Sequence, residues 1–247
     1  MLYQIVGSNI FLVPSFHQLR AGTKLPTELA HIVAQADVVY LERDPTMPLP
    51  SVPGAPGCLS TTLPEAVGRQ FEVICKALFV DPAEAEGMSP LEAANEVSSL
   101  RLAQRDWEAA SGIDWQIAVL AGPKLEFLEV DSDLASALRS VPLVEQVSEL
   151  EYVISDRYLQ DVDAAVRAWF DGSEDVLHAD VEAAWQRAPR LAQRLYGDRN
   201  LTMTVAVTTA VSTGRAAVFV VGAAHAYGSN GILAILKNAG MAVSGRS

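Results

Sequence analysis

Short apolar runs of strand length alternate with longer helical stretches along this chain, and that alternation restricts the fold more than any other feature. The runs are Tyr3-Gln4-Ile5-Val6, Ile10-Phe11-Leu12-Val13, Val38-Val39-Tyr40-Leu41, Leu125-Glu126-Phe127-Leu128, Ala217-Val218-Phe219-Val220-Val221 and a last short piece, Met241-Ala242-Val243. They are β-branched or aromatic and bounded by Gly, Pro or charge, which marks buried strands. Gly7-Ser8-Asn9, between the first two, reads as a hairpin turn. Helical patterns cover 26–36, 63–78, 90–110, 114–121, 133–139, 155–170, 175–187, 190–213 and 229–238. Pro26 suits a first helical turn, Ser89-Pro90-Leu91-Glu92 resembles a capping box, and Gly240 stops the last helix. Strands separated by helices predict an α/β fold, with a central mixed, mostly parallel sheet flanked by a large helical portion. One domain over 1–247 is expected, with helical insertions near 60–110 and 140–200. The proline-rich stretch 45–56 reads as an exposed loop.

Composition narrows the class of partner. Half of the 247 residues are apolar and only 19% are charged, so a sizeable core can be buried. The net charge, 18 − 30 = −12, argues against nucleic acid and anionic lipid, which need clustered Lys and Arg. No apolar run approaches the roughly 18 residues of a membrane span, and the opening Met-Leu-Tyr-Gln-Ile-Val-Gly has no signal-peptide pattern. Two cysteines, Cys58 and Cys75, are too few for a disulfide scaffold or a cysteine zinc site. The expectation is an acidic, cytoplasmic globular protein without nucleic-acid or membrane partners. Apolar helices in the 60–110 block leave a homodimer face open.

The residues that follow the strands carry the chemistry. Ile10–Val13 runs into Pro14-Ser15-Phe16-His17, Val38–Leu41 into Glu42, Leu125–Leu128 into Glu129, and Val218–Val221 into Gly222-Ala223-Ala224-His225. If these strands are parallel, two histidines and two carboxylates converge on the carboxyl edge of one sheet, where open α/β sheets bind ligands. That set suits a metal or acid–base site. Each residue also has a structural alternative: a strand-end carboxylate can cap a helix, Arg199 can pair with Asp198, and Asp114 can cap its own helix. His31 and His178 read as surface residues, and Trp107, Trp115, Trp169 and Trp185 as packing residues.

Six short motifs in register resemble the TraB/GumN/PrgY family across nearly the whole chain. They are Pro14-Ser15-Phe16-His17, Leu41-Glu42, Gly112-Ile113-Asp114, Leu128-Glu129, Arg199-Asn200 and Gly222-Ala223-Ala224-His225. The first departs from the family's Gly-x-x-His by placing Pro14 where glycine is usual, which removes a backbone donor. The family includes the membrane-tethered Tiki metalloproteases and is similar in fold to the erythromycin esterase and ChaN-like proteins. The resemblance implies a divalent-metal-dependent hydrolase that cleaves a peptide or ester bond with a metal-activated water. His17, Glu42 and His225 would hold Mn²⁺, Co²⁺ or Zn²⁺, or Glu42 would act as general base. Arg199 would stabilise an oxyanion or clamp a substrate carboxylate, with Glu129 and Asp114 as further catalytic or supporting groups. Asn200 and Ser15 would contact a small peptide or ester substrate. The same resemblance allows two alternatives, a non-catalytic peptide-sequestering protein and a ChaN-like haem- or metal-binding protein.

Overall fold

The computed structural model describes residues 1–47, 59–129 and 138–246. Most of the expected loop 45–56, most of the expected helix 133–139, and Cys58 lie outside the described residues. A six-stranded sheet is built from β1 (Leu2–Ile5), β2 (Ile10–Ser15), β4 (Val38–Leu41), β6 (Leu125–Phe127), β7 (Ala217–Gly222) and β8 (Val243–Arg246), in the order β6-β4-β7-β2-β1-β8. The pairs β6–β4, β4–β7 and β7–β2 are parallel, and β2–β1 and β1–β8 are antiparallel. The fold is therefore α/β with a mixed, mostly parallel sheet, as the strand–helix alternation predicts. A separate two-stranded ribbon joins β3 (Leu19–Arg20) to β5 (Trp107–Glu108).

The central strands are buried because helices cover both of their faces. Every residue of β7 is buried, as are all but one in β2 and in β4. Val39, Val218, Phe219, Leu12 and Val13 sit at the sheet's centre with no more than 1% exposure. The opening hairpin turns on Gly7, whose φ of +79° is one that glycine adopts without steric cost.

Helical boundaries follow local chemistry. The helix Pro90–Ala103 opens with a complete capping box, in which the Ser89 hydroxyl accepts from the Glu92 amide and the Glu92 carboxylate accepts from the Ser89 amide. It ends earlier than the predicted 90–110, because Trp107-Glu108 pairs with β3 instead. The helix Leu143–Ile154 shows no start signal beyond Pro142; it lies within the helical portion expected near 140–200, although no separate helical pattern marks it. The predicted continuous helix 190–213 is split. A short helix Pro189–Ala192 leads into one turn of π geometry over Gln193–Gly197, and the helix Asp198–Thr213 follows. Arg199 and Asn200 thus lie immediately after a widened turn, a feature common at functional sites. Among the described residues, no helix is long and apolar enough to cross a membrane.

Candidate active site

Parallel pairing decides where the polar strand ends go. Ser15 lies opposite Gly222, and Leu41 lies opposite both Val220 and Phe127, so β2, β4, β6 and β7 finish at one level. The ladder extends one step further, with the Glu42 amide donating to Val220 at 3.1 Å and the Leu128 amide to Leu41 at 2.9 Å. Above this edge opens a cleft of about 630 Å³, whose walls include His17, Glu42, Asp114, Arg199 and His225.

Pro14 does not interrupt β2. The strand continues in register through Pro14 to Ser15, and the buried Trp169 indole donates to the Pro14 carbonyl at 2.8 Å. That anchor fixes the backbone from which His17 departs. His17 is then set by its main chain and its ring together. Its neighbour Phe16 accepts from the Ile113 amide at 3.0 Å. Gly112 packs so tightly under the His17 carbonyl group that a Cβ there would overlap it. The ring Nδ1 faces the Asp114 carboxylate at 2.7 Å. Asp114 therefore serves His17, and it makes no side-chain cap on its own helix Ile113–Ala121. Desolvation pulls the His17 imidazole down, but the Asp114 charge and hydrogen bond, with Glu42 behind them, outweigh it and raise the group to about 9. The histidine is nonetheless open to the cleft, with 60% of its side chain exposed.

His225 is held in the opposite way, deep and dry, at 2% exposure. It occupies the short helical turn Ala223–Ala226 after β7. The Asn200 amide donates through Nδ2 to the Asn230 carbonyl at 2.8 Å, which leaves its Oδ1 to accept from His225 Nδ1 at 2.6 Å. That network places a proton on Nδ1, and Nε2 faces Glu42 Oε1 3.4 Å away. Both ends of the Asn200 amide are thus engaged within the protein. Tyr196, from the π turn, stacks edge-on against the His225 ring at 5.4 Å between centroids.

Glu42 is the hub. Its Oε2 accepts from the Gly222 amide at 3.1 Å, and its Oε1 meets Arg199 Nη2 and His225. Burial alone would raise this carboxyl, but the charges of His225, Arg199 and His17 hold it well below the usual carboxylate range. Arg199 is likewise committed. Its Nε donates to both Glu129 oxygens at 2.8 and 3.0 Å, its Nη1 to the Leu195 carbonyl at 2.6 Å, and its Nη2 to Glu42 and Glu129. Its partners are these two glutamates, whereas Asp198 pairs with Arg194. His31 and His178 stand apart from the cleft. His31 bonds Gln35, and His178 accepts from the Gly228 amide.

Whether these residues suit a cation can be tested on their chemistry. Two imidazoles and a carboxylate are a workable ligand set for a borderline divalent ion. Each histidine has its Nδ1 tied to a second partner, the arrangement that orients metal-binding imidazoles. Gly222 leaves a cradle between them: a Cβ there would lie 3.4 Å from Glu42 Oε2 and 3.5 Å from His17 Nε2 and from His225 Cδ2. In donor type and cradle the residues fit. As placed, however, no group of three or more His, Cys, Asp or Glu side chains among the described residues is arranged to hold an ion. Glu42 is engaged by Arg199 instead.

Fold and site together define an α/β protein with a polar, histidine- and carboxylate-lined cleft at the carboxyl edge of its parallel strands. The family model of the TraB/PrgY/gumN family matches residues 4–245, and the chain belongs to that family. Comparison with curated proteins returns no match, and neither does comparison with solved structures. Gln18 and Tyr196, both lining the cleft, are additions that strand-end reasoning did not find. Gln18 follows His17 without any pattern of its own, and Tyr196 lies in what reads as an uninterrupted helix.

Proposed function

We propose that the cleft is the active site of a hydrolase that works on a peptide or ester bond with one divalent cation. The observation that carries this reading is the gathering of Glu42 Oε2, His17 Nε2 and the Cδ2 edge of the His225 ring around the side-chain-free position of Gly222, with His225 Nε2 3.4 Å from Glu42 Oε1. His17, His225 and Glu42 would hold the ion. A bound divalent ion supplies a hydroxide-like nucleophile by lowering the pKa of its water from about 15.7 toward about 7.

The chain's own groups define the remaining roles. Glu42 stays anionic at neutral pH and is a weak base, which favours its service as a ligand over service as a general base. Asp114 and Asn200 fix the ring orientation of His17 and His225. Arg199 holds Glu42 and Glu129 in place, and its engaged donors make it a positioning residue. The test is hydrolysis of a fluorogenic peptide and ester panel, with and without chelator, beside Glu42→Gln. Turnover that chelation and Glu42→Gln both abolish supports the reading, and turnover indifferent to both rejects it.

A further inference from the structure

Among the described residues, three buried side-chain polar atoms have no hydrogen-bond partner: Ser15 Oγ, Gln18 Oε1 and Asp114 Oδ1. All three residues line the same cleft. Ser15 is 3% and Asp114 9% exposed, so neither side chain is solvated in bulk. They also share a neighbourhood. Ser15 and Gln18 flank His17 in sequence, and Asp114 holds the His17 ring through its other oxygen. A buried polar atom left without a partner forfeits the hydrogen bonds that water gave it. Three such atoms on residues lining one cleft are therefore a set of unmet polar groups.

Their chemistry selects the partner. Asp114 Oδ1 and Gln18 Oε1 only accept, and the Ser15 hydroxyl can do so. A group with several N–H donors and a positive charge complements them, whereas a carboxylate or phosphate does not. The negative charge at these atoms is that of Asp114 itself, and Glu42 and Asp180 line the same cleft. Of its cationic side chains, Arg199 is consumed by Glu42 and Glu129, Arg43 bonds the Met47 carbonyl, and His17 is paired through Nδ1 with Asp114 Oδ2, leaving Oδ1 unmet. We infer that the wall formed by Ser15, Gln18 and Asp114 is a subsite for a primary ammonium group of the substrate, carried on a peptide's amino terminus or a lysine side chain. This names the substrate class of the proposed hydrolase and rests on that reading only for the bond that is cut, because ammonium binding at this wall requires no turnover.

The test is isothermal titration at pH 6.5 with three probes: tetra-alanine amide with a free amino terminus, its N-acetyl counterpart, and an N-acetyl tetrapeptide amide with one lysine. Mass spectrometry of the recovered peptides registers any cleavage separately. The inference expects the free-amino peptide to bind at least about tenfold more tightly than the acetylated one, which is about 1.4 kcal/mol. Ser15→Ala should remove most of that difference, and Gln18→Ala, at a half-buried position that tolerates truncation, should do the same if Ser15→Ala fails to fold. Tight binding by the acetylated lysine peptide instead identifies the side-chain ammonium as the occupant and also supports the subsite. Equal affinity for free and acetylated alanine peptides without a lysine preference, or no binding by any probe, overturns it and leaves the acceptors to water. Metal content and chelator sensitivity are unaffected by that failure, so the hydrolase reading stands or falls apart from it.

Discussion

Arg199 is the residue whose removal tests the electrostatics of the cleft most severely. Its side chain is 13% exposed, and those of Glu42 and Glu129 are 9% and 16% exposed. Arg199→Met keeps much of the bulk while deleting every guanidinium donor, which leaves the buried Glu42 carboxylate only the Gly222 amide and the two histidines. Breaking a buried ion pair by removing one partner costs about 3–5 kcal/mol, because the other charge is left without compensation. For a chain of this size that corresponds to a fall in Tm of roughly 6–20 °C. The loss has a predicted pH dependence. Glu42 is held below its ordinary value of 4.5, so its contribution is complete above that pH and disappears as pH falls through the depressed folded value. In Arg199→Met the carboxyl takes up its proton at higher pH, and the gap between variant and parent narrows on acidification. Urea unfolding of both proteins at pH 7 and pH 4, with Glu42→Gln and the double variant, measures this. The double variant should recover at least about 1.5 kcal/mol of the single-variant loss, the coupling expected of residues sharing one network. A loss under about 1 kcal/mol, independent of pH, would match an exposed pair and refute the buried-triad reasoning.

Three further outcomes follow from the same geometry. Gly222→Ala should fold normally, since φ −51° and ψ 141° suit alanine, yet its methyl fills the cradle among Glu42, His17 and His225; unchanged Mn²⁺ or Zn²⁺ affinity by titration would contradict that. Asp114→Asn should bring the His17 midpoint, followed by NMR, from about 9 down to 6.5 or lower. In the parent the same pairing contributes stability that is complete below pH 6.5 and lost as pH rises through about 9, a loss that Asp114→Asn should abolish. Gly112→Ala drives a Cβ into the His17 main chain, with the carbonyl carbon at 2.7 Å, and should cost about 1–3 kcal/mol by chemical denaturation; a neutral result would show that this close approach does not fix His17.

The centre of the sheet was legible because its strands are buried on both faces and so appear as unbroken apolar runs, as in Val38–Leu41 and Ala217–Gly222. Parallel pairing then carries Glu42, Glu129, His17 and His225 to one edge without further information. Partner choice was not legible. That Arg199 binds two glutamates 70 and 157 residues away, in preference to the adjacent Asp198, depends on how the helix after the π turn docks on the sheet. The π turn itself leaves no mark in the helical pattern of 190–213, so Tyr196 passes for a packing residue. The ribbon between β3 and β5 is two residues long on each side, too short for any periodicity to show. Pro14 reads in the sequence as a lost backbone donor, whereas its own carbonyl is secured by the Trp169 indole, 155 residues away.

The central claim is that His17, His225 and Glu42 form one cation site, and metal content by elemental analysis tests it most directly. The purified protein, incubated with Mn²⁺, Co²⁺ or Zn²⁺ and freed of excess, should retain about one ion per chain, as three protein ligands with an open position would hold. His17→Ala and His225→Ala should each lose it while keeping their fold by circular dichroism. A protein that retains no ion, or retains it equally in both variants, would contradict the account.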